Sequence, residues 1–152
     1  MEKVIYKKTQ FSLLIWAVIV PVSLVLLFIS LKAEENIPSY VNLGIFILLI
    51  LTALIFSRLT ITLTNKKIEA AFGLRLFVQK LELKEINIED IEVLTPSSWY
   101  GIGLRLTPKG TLYNVKFGKA IRIKTNQKTL FVGSDEAEII KDLLIEELKK
   151  EN

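Results

Sequence analysis

Two apolar runs near the start of the chain set most of what it can fold into. Residues 11–31 read FSLLIWAVIVPVSLVLLFISL and contain no charged residue; residues 36–57 contain none either, and are densest over 43–56. A helix of about 20 residues rises about 30 Å, the thickness of a bilayer's hydrocarbon core. Lys8 and Lys32 flank the first run, where their ammonium groups can reach the headgroups, and Arg58 closes the second. Tyr40 suits an interfacial position. Two buried helices of this kind would need a larger soluble core than a chain of 152 residues supplies. A cleaved signal peptide has a shorter apolar region and a small-residue exit, so the first run is expected to be retained. The predicted division is a hairpin of two transmembrane helices over 1–57 (about 11–31 and 37–57), followed by a domain over 58–152.

Basic residues near the spans predict the orientation. Lys3, Lys7 and Lys8 precede the first span, and Arg58, Lys66 and Lys67 follow the second. The connecting segment, residues 32–42, carries Lys32 beside Glu34 and Glu35. Both termini and the domain are therefore expected on the cytoplasmic side of the cell membrane. Neither span holds an ionisable group of the kind that transport coupling uses. Pro21 reads as a bend tolerated within a packed hairpin. Ala53 and Ser57 have the small-xxx-small spacing that lets helices approach closely.

Beyond residue 57 the period changes to two. LTITLT over 59–64 alternates apolar with Thr, and Ile68, Ala70 and Phe72 alternate on the next strand. A third strand is expected over 76–83. Residues 86–94 read as a helical turn leading into a strand that Pro96 ends. Further strands are expected over 104–107, 111–117, 120–124 and 129–132. Ser134 or Asp135 then caps a C-terminal helix with the stripe Ala137, Ile140, Leu143, Leu144 and Leu148.

Catalytic chemistry has little to work with. The chain has no Cys and no His, which removes thiolates, the commonest metal ligand and the commonest general base. Ser97 and Ser98 lack an activating base. Gly101 and Gly103 lack the third glycine and helix of a dinucleotide site. The acidic group Glu82, Glu85, Glu89, Asp90 and Glu92 lacks calcium-loop spacing. No catalytic, cofactor-binding or metal-binding residue is assigned, no cofactor is expected, and the protein is not expected to be an enzyme.

Two features are candidates for binding. No acidic residue occurs between Val93 and Ser134, whereas Arg105, Lys109, Lys116, Lys119, Arg122, Lys124 and Lys128 do. If Arg105, Lys116, Lys119, Arg122 and Lys124 shared a face they would attract anionic lipid headgroups, at about 1 kcal/mol each; the commoner role of such a run is a solvated strand face. Trp99 and Tyr100 are candidate interfacial aromatics, although packing over the end of a barrel is the favoured reading. Nucleic acid is not expected, because no recognised motif is present and a tether would hold the patch at the membrane.

About seven short antiparallel strands closed by one amphipathic helix is an α+β layout. It resembles a pleckstrin-homology-like barrel, and the wording is similar to the bacterial PH-like domains of small two-span membrane proteins. The residues that carry the likeness are Trp99-Tyr100-Gly101-Ile102-Gly103-Leu104-Arg105, Gly110, Tyr113-Asn114-Val115, Gly118 and Val132-Gly133-Ser134-Asp135. That resemblance implies no catalytic or binding residues. The expected role is a non-enzymatic, membrane-tethered module that binds a protein partner or a second copy of itself. An anionic-lipid-responsive module and an accessory subunit of a larger membrane complex are the alternatives.

Overall fold

The computed structural model describes residues 2–32 and 39–151; most of the expected connecting segment, residues 32–42, lies outside them. The chain runs β1 (Val4–Phe11), α1 (Leu13–Lys32), α2 (Ser39–Phe56), β2 (Arg58–Thr64), β3 (Lys67–Phe72), β4 (Phe77–Glu82), β5 (Ile91–Leu94), β6 (Gly103–Thr107), β7 (Gly110–Asn114), β8 (Ala120–Lys124), β9 (Thr129–Gly133) and α3 (Ala137–Glu151). Short 3-10 turns occur at Leu83–Glu85, Ile88–Asp90 and Ser98–Tyr100. The architecture is α+β, with two helices, two β-sheets and a C-terminal helix.

α1 is long and apolar enough to cross a membrane over Leu13–Ser30, and 11% of that stretch is buried. Tyr40–Phe56 is a shorter apolar helix. Ile19, Ser23 and Ala53 are buried, while Leu24, Val25 and Phe28 on α1 and Leu43 and Leu48 on α2 lie open. Small side chains at 23 and 53 suit close helix approach.

The first sheet has the order β1-β2-β3-β4, antiparallel throughout. Its edge strand β1 corrects the sequence reading, which placed residues 4–11 with the membrane hairpin as a basic flank. The reason follows from the helices themselves. An antiparallel helix pair brings its two free ends together, so the strand entering α1 meets the strand leaving α2. Phe11 pairs with Arg58 and Gln10 with Leu59. At the junction the Ser12 N–H donates to the Ser57 carbonyl at 2.8 Å, and the Ser57 N–H donates to the Ala53 carbonyl at 2.8 Å. The sheet therefore starts on the residue where the helices stop.

The second sheet has the order β5-β8-β9-β7-β6. Here the expectation of purely antiparallel pairing gives way: β7 and β9 run parallel, and among the described residues the domain over 58–152 has eight strands where about seven were expected. β9 forms a hairpin with β8 and then inserts beside β7. Glycine sits at each end of that parallel pair. A Cβ on Gly110 would collide with the Thr129 backbone, and one on Gly133 with the Asn114 side chain.

Between the sheets Leu59, Ile61, Leu63, Ile68, Phe72, Ile121, Ile123, Leu130 and Val132 are fully buried, and Ile140 and Leu144 of α3 close the core. Each such side chain stabilises the fold by about 1.5–3 kcal/mol relative to exposure. Phe72 stacks on Tyr113, with ring centroids 5.4 Å apart. Ser134 is the residue that caps α3, its hydroxyl accepting from the Glu136 N–H at 3.1 Å; Asp135 pairs with Lys116 instead.

Candidate functional site

The basic stretch does not act as one uninterrupted positive face. Its carboxylate partners come from just outside the acid-free window and fold back onto it. Lys116 pairs with Asp135, Lys119 with Glu138 at 3.0 Å, and Arg122 with Glu92 at 2.9 Å. Such exposed pairs are worth about 1 kcal/mol or less in stability. They nevertheless cancel the local charge that an anionic surface would read. Strand register spreads the group further. Arg105, Leu112, Phe131, Arg122 and Glu92 form one cross-strand row, so two apolar residues separate the two arginines. Lys116 and Lys119 instead lie beside the start of α3. Among the described residues Arg105 and Lys124 have no ion pair.

The aromatics also separate. Trp99 is 95% exposed and packs over nothing, so the favoured barrel-end packing fails for it. Its turn is fixed by Ser97, whose hydroxyl accepts from the Trp99 N–H at 3.4 Å. Tyr100 is half-buried and lines a cleft of about 270 Å³ on the outer face of the second sheet, with Leu94, Pro96, Leu112 and Phe131. That cleft also holds Lys109 and the Arg122–Glu92 pair. The acidic residues 82–92 do not converge: no group able to hold a metal ion occurs among the described residues.

Where the helices meet the sheets, three features come together. The β3–β4 turn lies against the end of α2. Gly73 has φ +57, and a Cβ there would sit 3.0 Å from the Ile55 backbone. Phe56 stacks on Phe77 at 5.5 Å and touches Phe72 at 5.7 Å. The same turn exposes Leu74 and Leu76, while Arg75, at φ 65, reaches back to the buried Glu69 at 2.6 Å. On the other side of the helix base is a groove of about 370 Å³. Leu14, Ile15, Val18 and Ile19 of α1, Thr52 and Phe56 of α2, and residues 102–105 line it. At the strand edge Arg58 lies over the Phe11 ring, 5.2 Å from its centroid.

A further contact ties the N-terminal strand to the far end of the chain. The Tyr6 hydroxyl donates to Glu136 at 2.7 Å, Lys8 pairs with the same carboxylate, and the Gln10 amide donates to the Gly133 carbonyl at 2.9 Å. Burial, then the hydrogen bond to Glu136, pushes the Tyr6 phenol well above its ordinary value. Lys8, then Tyr6, holds the Glu136 carboxyl below its own. Sequence reasoning missed this cluster because β1 turns Tyr6, Lys8 and Gln10 inward, leaving no apolar alternation to detect.

Comparison with known proteins finds no family model, curated protein or solved structure that matches this chain.

Proposed function

We propose that this protein is a non-catalytic, membrane-anchored docking module. The two helices cross the cell membrane as a hairpin, with both termini on the cytoplasmic side, and the β domain is held flush against the bilayer for a protein partner or a second copy. The observation that carries this reading is the β1–β2 pairing that continues both helices, with the 2.8 Å bond from Ser12 to Ser57 at the junction. A sheet that starts where the helices end leaves no linker to swing on. The apolar, largely uncovered sides of α1 and α2 supply the anchor, and Lys7 together with Arg58 supplies the positive flank.

The docking edge is β4. Its one strand neighbour among the described residues is β3, Lys128 donates to its Lys80 carbonyl at 2.9 Å, and Phe77 and Val78 on it are exposed. An open apolar edge invites strand addition. The remote kinship to PH-like domains belongs to the same reading. Two sheets closed by a C-terminal helix support it, while the parallel β7–β9 pair departs from it. A broad anionic-lipid face is less favoured, because carboxylates neutralise three of its five members.

The chain has no Cys, so single-cysteine variants report cleanly. In the full chain reconstituted in bilayers, Val78→Cys is expected to form crosslinked dimers or to crosslink a co-purified partner, and Leu106→Cys on the opposite sheet is not. Absence of any Val78→Cys crosslink would sink docking through β4. Release of the full chain from membranes by alkaline extraction would sink the anchor itself.

A further inference from the structure

The groove at the helix base has a chemistry of its own. Its walls are apolar: Leu14 and Val18 on α1, Phe56 on α2, and Ile102 and Leu104 from the domain. Its one charged lining residue is Arg105, on the edge strand β6, and this guanidinium has no ion pair among the described residues. The other arginine in the same cross-strand row, Arg122, is neutralised by Glu92. Gly101, at φ +66, turns the preceding loop, and a Cβ there would lie 3.9 Å from an Arg105 terminal nitrogen.

From this we infer that the groove is a seat for one anionic glycerophospholipid of the surrounding bilayer. Its acyl chain lies along Leu14 and Val18, and its phosphodiester, whose charge no headgroup cation offsets, accepts from Arg105. Two arguments choose this occupant. The groove is continuous with the exposed apolar side of α1, so an occupant enters from the hydrocarbon without crossing water. A guanidinium placed at the first turns of that helix is also at headgroup depth, where its fork of donors matches a phosphate. A peptide side chain would satisfy either the apolar wall or the cation, whereas a phospholipid satisfies both. The lipid would bridge α1 and β6.

This inference rests on α1 lying in the membrane, and the experiment separates the two. The full chain is reconstituted in phosphatidylcholine bilayers, and alkaline extraction checks insertion first. Spin-labelled phosphatidylglycerol and spin-labelled phosphatidylcholine are then compared by their protein-restricted fractions. The expected result is selection of phosphatidylglycerol, lowered about fivefold by Arg105→Gln, the weight of one interfacial cation. Arg58→Gln, at the helix ends but outside the groove, leaves most of the selection in place. Val18→Trp fills the groove apolarly and lowers the restricted fraction of both lipids. Equal loss on Arg105→Gln and Arg58→Gln would mean diffuse surface attraction and would overturn the seat, as would wild-type protein that inserts but selects neither lipid. Displacement of the labelled lipid by millimolar glycerol phosphate would overturn the lipid as occupant in favour of a free phosphate group.

Discussion

The helical hairpin and the β domain use the same apolar side chains to opposite ends. In the domain Leu59, Ile61 and Leu63 are fully buried by their own chain, whereas on α1 Leu24 is 60% and Phe28 57% exposed. Burial of apolar area is the main favourable term in folding, so a surface left this open needs a second apolar medium to cover it. The domain carries its own interior, and in the function proposed above the hairpin borrows one from the bilayer. The boundary is sharp because hydrogen bonds, not a linker, join the two: the Ser57 to Ala53 bond closes the last helical turn and the Ser12 to Ser57 bond opens the sheet.

The largest test of this contrast is a pair of truncations. Phe72→Ala, in the domain core, is expected to cost about 3–5 kcal/mol in unfolding experiments on detergent-solubilised protein. Leu24→Ala, on the open side of α1, is expected to change stability by less than about 0.5 kcal/mol. Comparable losses at both positions would mean that α1 is covered by protein and would break the comparison.

Next comes the close approach of β7 and β9. Gly133→Ala drives a methyl group into the Asn114 side chain and is expected to cost about 1–3 kcal/mol. Gly44→Ala in α2, where a Cβ meets nothing within 4 Å, is the control without a steric cost and is expected not to destabilise.

A smaller effect concerns the strand that joins the two regions. Glu136 is held below its ordinary value in the folded protein by Lys8 and Tyr6. The unfolded chain therefore takes up this proton first as the pH falls. The contribution is fully present above the unfolded value and fades as the pH drops through the lowered folded one. Stability should decline below about pH 5, and Glu136→Gln should flatten that decline in unfolding curves taken across the acid range.

The smallest effect on stability belongs to Trp99. Trp99→Ala should leave unfolding unchanged within about 0.5 kcal/mol. The chain has two Trp, so Trp16→Phe isolates Trp99. Its emission should then be quenched by brominated lipids if the 95% exposed ring rests at the bilayer, and should behave as water-exposed if it does not.

Local periodicity made much of this legible. The alternation in residues 59–64 and 68–72 became β2 and β3, the ambiguous residues 86–94 became a 3-10 turn followed by β5, and the stripe from Ala137 to Leu148 became the buried face of α3. The candidate site was read less well. An acid-free window of sequence suggested a basic face, but Glu92, Asp135 and Glu138 lie just outside the window and fold onto Arg122, Lys116 and Lys119. Charge counted along the chain says nothing about charge summed across strands. Arg105 stood out in the sequence only as one basic residue among seven, and its groove exists because α1 and β6 meet in space.

What the sequence by itself determined is whatever burial imprints at short range: the two apolar runs, the position of most strands, the amphipathic C-terminal helix, and the loss of thiol and imidazole chemistry. What only the tertiary structure decided is where polar groups find distant partners. β1 shows the reason. Its inward residues Tyr6, Lys8 and Gln10 are polar, so no hydrophobic alternation marks the strand. They are tolerated there because Glu136 takes up Tyr6 and Lys8 and the Gly133 carbonyl accepts from the Gln10 amide N–H, each more than 120 residues away. A buried polar group is stabilised by its specific partner rather than by its own hydrophobicity, and that partner is fixed only once the chain has folded.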